Sequence, residues 1–154
     1  MNKQKAIIIY SILLLISCNE ESIYDYNYTG DLYFTLTNDT LATQQNGLEW
    51  MLRLETVETF RCSNFSIVTE IEKEIQFMDI QILDIYAPDV CATAIGPAIV
   101  WISVDLENPD YTLSFNNGQF LDTYRISLEG DFVIVEENDS HFTEYYLYGT
   151  EPEN

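Results

Sequence analysis

From Asp31 onward the apolar residues recur at every second position, and this alternation restricts the fold more than any other feature of the chain. Leu32, Phe34 and Leu36 alternate with Tyr33, Thr35 and Thr37, and Leu48, Trp50, Leu52 and Leu54 alternate with Glu49, Met51, Arg53 and Glu55. Successive side chains of a strand point to opposite faces, so each run reads as a half-buried strand. The rule continues through Phe65–Ile67, through Ala98, Val100, Ile102 and Val104, and through Tyr124, Ile126 and Leu128; Phe132–Val135 and Tyr145–Tyr148 supply two more. Turn-forming groups fall between them at Asn46-Gly47, Asn116-Asn117-Gly118, Glu129-Gly130-Asp131 and Asn138-Asp139-Ser140. The arithmetic predicts an all-β chain: an antiparallel β-sandwich of about eight or nine short strands.

One stretch carries a second signal. Ile71, Ile75, Met78, Ile82 and Ile85 are spaced as on one face of a helix, and Glu70, Glu72, Lys73 and Glu74 tolerate one. The same stretch is rich in β-formers, Phe77, Ile80, Ile82 and Ile85 among them, and its alternation changes phase near Met78, as a bulge would cause. A strand is therefore expected over 75–85.

The 154 residues suit one domain, and 26 Asp+Glu against 6 Lys+Arg give a net charge of −20. Hydrophobic residues at 47% supply enough apolar matter for a core, which excludes a disordered acidic tail. Six cations cannot neutralise a phosphate backbone, so nucleic acid is not an expected partner.

The N-terminus reads as an address. Lys3 and Lys5 precede the uncharged run 6–16, which is too short to span a bilayer and is closed by Ser17, Cys18, Asn19, Glu20 and Glu21. Leu15-Ile16-Ser17-Cys18 resembles the lipobox of bacterial lipoproteins. The resemblance implies diacylglyceryl transfer to the Cys18 thiol and cleavage just before it, with Cys18 anchoring the chain in the membrane. Asn19 in place of an inner-membrane retention Asp implies the outer membrane, and Glu20-Glu21 resembles the surface-export signal of Bacteroidetes-type lipoproteins. Cell-surface and periplasmic-facing orientations both stay open. Cleavage would remove Lys3 and Lys5, leaving 4 basic residues against 26 acidic ones, so partners should be neutral or cationic. The expected organisation is a signal peptide at 1–17, a lipidated tether at 18–30 whose tyrosines dock on the domain, a β-sandwich at 31–149 and an acidic tail at 150–154.

With Cys18 taken by lipid, Cys62 and Cys91 remain, in a compartment that permits oxidation. A disulfide between them is expected; a redox or metal pair lacks a CxxC spacing or a nearby His.

The segment from Leu106 through Asn108-Pro109-Asp110-Tyr111 to Phe115, with Asn116-Asn117-Gly118 and Asp122–Ile126 after it, resembles the late strands of immunoglobulin- or fibronectin-III-like domains. Over residues 91–128 the resemblance implies an immunoglobulin-like sandwich with a tyrosine corner, in which a tyrosine hydroxyl bonds back to the backbone. It implies a fold and no function.

Chemistry is sparse. His141 is the only histidine, in a loop without a nucleophile elbow or Gly-rich oxyanion segment, and reads as a solvated loop residue. No P-loop or dinucleotide fingerprint is present. The acidic segments 105–110 and 136–139 offer oxygen ligands of the kind calcium takes, but without EF-hand spacing; they read as solvated turns, and no metal ligands are assigned. No catalytic residues and no cofactor are assigned. Asp39-Thr40-Leu41 resembles the O-glycosylation sequon of Bacteroidetes-type bacteria, implying a glycan on Thr40, with a plain Asp-Thr turn as the alternative. The function expected is a non-catalytic, outer-membrane-anchored module that binds a protein or glycan or serves as an accessory structural part of the envelope. The alternative is a small envelope hydrolase or hydrolase inhibitor, motivated by the acidic surface and by Tyr145, Tyr146 and Tyr148 as a binding face.

Overall fold

The computed structural model describes residues 27–39, 49–106, 110–129 and 132–146. They form nine strands: β1 (Leu32–Asp39), β2 (Glu49–Phe60), β3 (Ser66–Glu74), β4 (Phe77–Tyr86), β5 (Gly96–Val104), β6 (Asp110–Asn116), β7 (Leu121–Glu129), β8 (Phe132–Asp139) and β9 (Thr143–Tyr145). Two sheets result, β5-β2-β1-β9 and β3-β4-β6-β7-β8, and the apolar face of each closes on the other as a β-sandwich.

The inward positions are those set by the alternation. Leu32, Phe34 and Leu36 of β1 lie opposite Thr56, Leu54 and Leu52 of β2 in register, and all six are buried. Met78, Ile80 and Ile82 of β4, Tyr111, Leu113 and Phe115 of β6, and Tyr124 and Ile126 of β7 supply the facing layer. At its centre the Phe34 ring lies 4.9 Å from Phe115 and 4.7 Å from Tyr124, centroid to centroid, so three aromatics join the two sheets.

Within this architecture the ladders are mixed, whereas a wholly antiparallel set was expected. β1 pairs with β9 and β4 with β6 in parallel, and the other ladders are antiparallel. The chain reaches the β4–β6 pairing by crossing to the other sheet as β5, and parallel neighbours need such a crossover. In the immunoglobulin order the third strand borders the sixth; here β3 is an edge and β4 stands between it and β6.

The strand expected over 75–85 is found as β4, Phe77–Tyr86, and the longer 71–85 stretch is a hairpin of β3 and β4. Ile75 and Gln76 form its turn, and the phase change lies at Leu83 rather than near Met78: Val68 pairs with Asp84 but Thr69 with Ile82, leaving Leu83 as the extra residue of a bulge. The Leu83 carbonyl accepts hydrogen bonds from the backbone N–H groups of Asn27 (2.6 Å) and Tyr28 (3.2 Å). Tyr28 is buried there, as expected of a tether tyrosine. Gly30 lies beneath it, and a Cβ at that position would lie 2.5 Å from the Tyr28 hydroxyl oxygen, so a larger residue there would have to displace that ring. Gly118, at φ 80°, closes the β6–β7 turn, while the buried Asn117 side chain accepts from the N–H groups of Gln119 and Phe120.

Cys62, just after β2, and Cys91, in the connection 87–95 between β4 and β5, stand at disulfide-bonding distance with Cα atoms 5.2 Å apart. Asn64 grips the same connection from the side, donating to the Val90 carbonyl (2.8 Å) and accepting from the Ala92 N–H (3.1 Å).

Candidate functional site

Two constellations of polar side chains stand out, one on an exposed sheet face and one centred on a buried carboxylate. The first lies on the outward face of the four-stranded sheet. Register places Thr35, Arg53 and Trp101 in one row across β1, β2 and β5, and Tyr33, Glu55 and Ile99 in the next. Arg53 forms an ion pair with Glu55 and donates to the Tyr146 hydroxyl at 2.5 Å, and that hydroxyl donates in turn to Glu55. The Tyr33 ring meets Tyr146 edge-on at 5.7 Å. The Arg53 guanidinium carbon lies 5.9 Å from the centroid of the Trp101 ring, within cation–π range. Burial, reinforced by the Glu55 carboxylate, pushes the Tyr146 phenol up to about 12, so it stays neutral and a donor at any physiological pH. Arg53 and Glu55 are thereby held by each other and by Tyr146, while Trp101 remains 51% exposed. The face offers a flat aromatic surface on a fixed polar support.

The second constellation surrounds Asp122, at the start of β7. Its carboxylate is fully buried. One oxygen accepts from the His141 N–H (2.8 Å); the other accepts from the N–H groups of Phe142 (2.9 Å) and Thr143 (2.7 Å) and from the Thr143 hydroxyl (2.7 Å). The Tyr124 hydroxyl donates to the Thr143 carbonyl at 2.6 Å. Residues 140–142 carry the chain from β8, an edge of one sheet, to β9, an edge of the other. The carboxylate therefore pins the crossing that closes this side of the sandwich. A buried charge is tolerable because several donors converge on it.

His141 is half-exposed yet not simply solvated, as the sequence had suggested. Its Nδ1 lies 3.2 Å from Asp122 and 3.6 Å from Asp139, and its ring stacks on Phe120 at 5.2 Å. It borders an open cleft of about 410 Å³ lined by Asp31, Tyr33, Glu137, Ser140 and Glu144 among others. The pair has the geometry of a base and its orienting carboxylate. The adjacent Ser140 hydroxyl, however, donates to the Thr143 carbonyl at 2.7 Å and serves the turn.

The remaining expectations fall out unevenly. Cys18, Thr40, Tyr148 and the turn at Asn46-Gly47 lie outside the described residues. Tyr145 turns inward, its ring 5.3 Å from Phe34, whereas Tyr146 joins the outer face. Tyr124 is buried and anchored to a carbonyl 19 residues downstream, and Tyr28 to that of Asp31, three residues downstream, whereas a tyrosine corner bonds a few residues upstream. Residues 136–139 belong to β8 rather than to a loop, so alternate carboxylates point to opposite faces. Asp110 begins β6 and pairs with Arg125 at 2.8 Å. Among the described residues no group of three His, Cys, Asp or Glu could hold a metal ion.

A further carboxylate sits on the outward face of the five-stranded sheet. Asp79 accepts from Ser114 and Gln81 and lies directly opposite Glu72 across the β3–β4 ladder. Burial raises its affinity for a proton, and Glu72 adds to this, against the Ser114 hydrogen bond. A carboxyl that binds its proton more tightly folded than unfolded stabilises the fold at acid pH and loses that contribution as pH rises through the folded value. Asp79→Asn should therefore melt higher than wild type at neutral pH, with the gap narrowing as the pH is lowered towards the ordinary Asp range. Paired thermal melts across that range check this; a variant that melts lower at neutral pH contradicts it.

Comparison with protein-family models, curated proteins and solved structures finds no match to this chain.

Proposed function

We propose that the protein is an envelope lipoprotein, acylated at Cys18, whose β-sandwich is a non-catalytic binding module. Its contact surface is the outward face of β5-β2-β1-β9. The observation that supports this reading is Trp101: a large aromatic ring, half-exposed in mid-strand, backed by an arginine that is itself fixed by Glu55 and Tyr146. Isolated exposed aromatics are ordinary. One mounted on an ordered polar network presents a rigid stacking surface at little entropic cost, which suits a sugar ring or an aromatic or cationic protein side chain. The charge of −20 favours neutral or cationic ligands over anionic ones.

Two arms test it. Metabolic labelling with a fatty-acid probe should mark the full chain and fail on Cys18→Ala; labelling that survives the substitution contradicts the anchor. The unlipidated chain from Asn19 should retain a ligand from glycan arrays or envelope extracts, and Trp101→Ala should lose at least about tenfold in affinity, or about 1.4 kcal/mol, with an unchanged melting temperature. Equal binding by wild type and Trp101→Ala contradicts the site.

A further inference from the structure

A sandwich has four edge strands, and three of these are closed to further pairing. β9 is only three residues long. β5 carries Pro97, and its outer backbone is already engaged: the Ile99 N–H donates to the Phe65 carbonyl (3.2 Å), the Ser66 hydroxyl donates to the Ile99 carbonyl (3.3 Å), and the Lys73 ammonium donates to the Ser103 carbonyl (2.6 Å). β3 ends in Glu70, Glu72, Lys73 and Glu74, charges of the kind that blunt an edge.

Over its first half β8 has none of these protections, its charges, Glu136, Glu137 and Asp139, falling only at its end. It is eight residues long and opens with four consecutive apolar residues, Phe132-Val133-Ile134-Val135. It pairs with β7 on one side, and among the described residues no strand pairs with its other side. Val133 and Val135 pack against the core yet remain only partly buried, so the sandwich interior is incompletely covered along this edge. On the opposite face Phe132 is 76% exposed. Both faces of β8 thus lack the apolar cover that one more strand would supply.

We infer that the free edge of β8 receives an extended segment of a partner protein, apolar opposite Phe132–Val135 and basic beside Glu136 and Glu137. Added strands gain affinity from main-chain hydrogen bonds and specificity from alternate side chains. Glu136 and Glu137 are exposed at the end of the apolar run, which sets the sign of the partner's charge. A second copy of this chain is the wrong occupant: it would bring the same carboxylates and a like net charge of −20 to the interface. The surface lies on the five-stranded sheet, apart from the Trp101 face, and does not depend on that face binding anything.

The probe is a synthetic peptide of alternating valine and threonine ending in two lysines. Its counterparts are the same peptide ending in two glutamates, and the lysine peptide N-methylated at alternate backbone positions to remove edge hydrogen bonds. The unlipidated chain from Asn19 should bind the lysine peptide and bind each counterpart at least about tenfold more weakly. Ile134→Lys and, separately, Phe132→Lys should lose the lysine peptide by a similar factor. Both side chains point outward, so circular dichroism should be unchanged. Glu136→Lys/Glu137→Lys should reverse the preference towards the glutamate peptide, and Trp101→Ala should bind as wild type does. No binding of the lysine peptide, indifference to N-methylation, or self-association of the chain in sedimentation overturns the proposal.

Discussion

Asp122→Ala is expected to cost about 3–5 kcal/mol of stability, much of what holds a domain of this size folded. The substitution removes one acceptor group and leaves three consecutive backbone N–H groups, from His141 to Thr143, and the Thr143 hydroxyl without their partner in a buried setting. These donors hold the turn that delivers β9 to β1, where Leu32 pairs with Thr143 and Phe34 with Tyr145. Loss of the clamp should free β9, and with it Tyr145 from the Phe34 ring. Asp122→Asn should cost less, because one amide oxygen can still accept the three bonds made by the more heavily used carboxylate oxygen. Urea unfolding of the three proteins measures the losses, and hydrogen exchange at Thr143 reports the local release. A loss below about 1 kcal/mol for Asp122→Ala would show that water or a neighbouring group replaces the carboxylate.

The second large effect is expected at Cys62 and Cys91. Their bond would close a loop across a sequence separation of 29, for which the chain-entropy relation gives about 3–4 kcal/mol. The double variant Cys62→Ser/Cys91→Ser should lose that amount relative to the oxidised protein, and reductant should lower the wild type to about the same melting temperature. Asn64 still holds the Val90 carbonyl and the Ala92 N–H in the variant, so residues 87–95 need not detach while the fold persists. Two reactive thiols in the unreduced, denatured protein, or identical melting with and without reductant, would contradict the bond's contribution.

What the sequence discloses about this molecule follows the range over which each signal acts. The inward stripes of β1, β2 and β5 are legible because period two is a property of neighbouring residues. The helical spacing from Ile71 to Ile85 is produced by two local events, a hairpin turn at Ile75-Gln76 and a bulge at Leu83, which together offset an alternation that is otherwise regular. Strand order is a different matter. Nothing in the residues of β4 marks β6 as its parallel neighbour, since that pairing depends on where β5 crosses.

The same limit applies to the sites. Trp101 reads as one outward residue of a strand, and its significance depends on Tyr146, whose hydroxyl meets an arginine 93 residues earlier. Asp122 reads as one of 26 acids; its donors lie 19 to 21 residues downstream and are mostly backbone, so no side-chain motif records them. The only usable clue was negative: an Asp at the start of an apolar alternating strand, on the side that the pattern assigns to the core.

The claim that Trp101 is the contact residue can be read from the protein's own fluorescence. The chain has two tryptophans, Trp50 and Trp101, of which Trp50 is buried. In Trp50→Phe, emission therefore reports Trp101 alone. Titration with a ligand recovered from the envelope screen should shift that emission to shorter wavelength and protect it from an aqueous quencher, saturating at the affinity measured for the wild type. Saturable binding that leaves the emission and quenching of Trp101 unchanged would contradict the site.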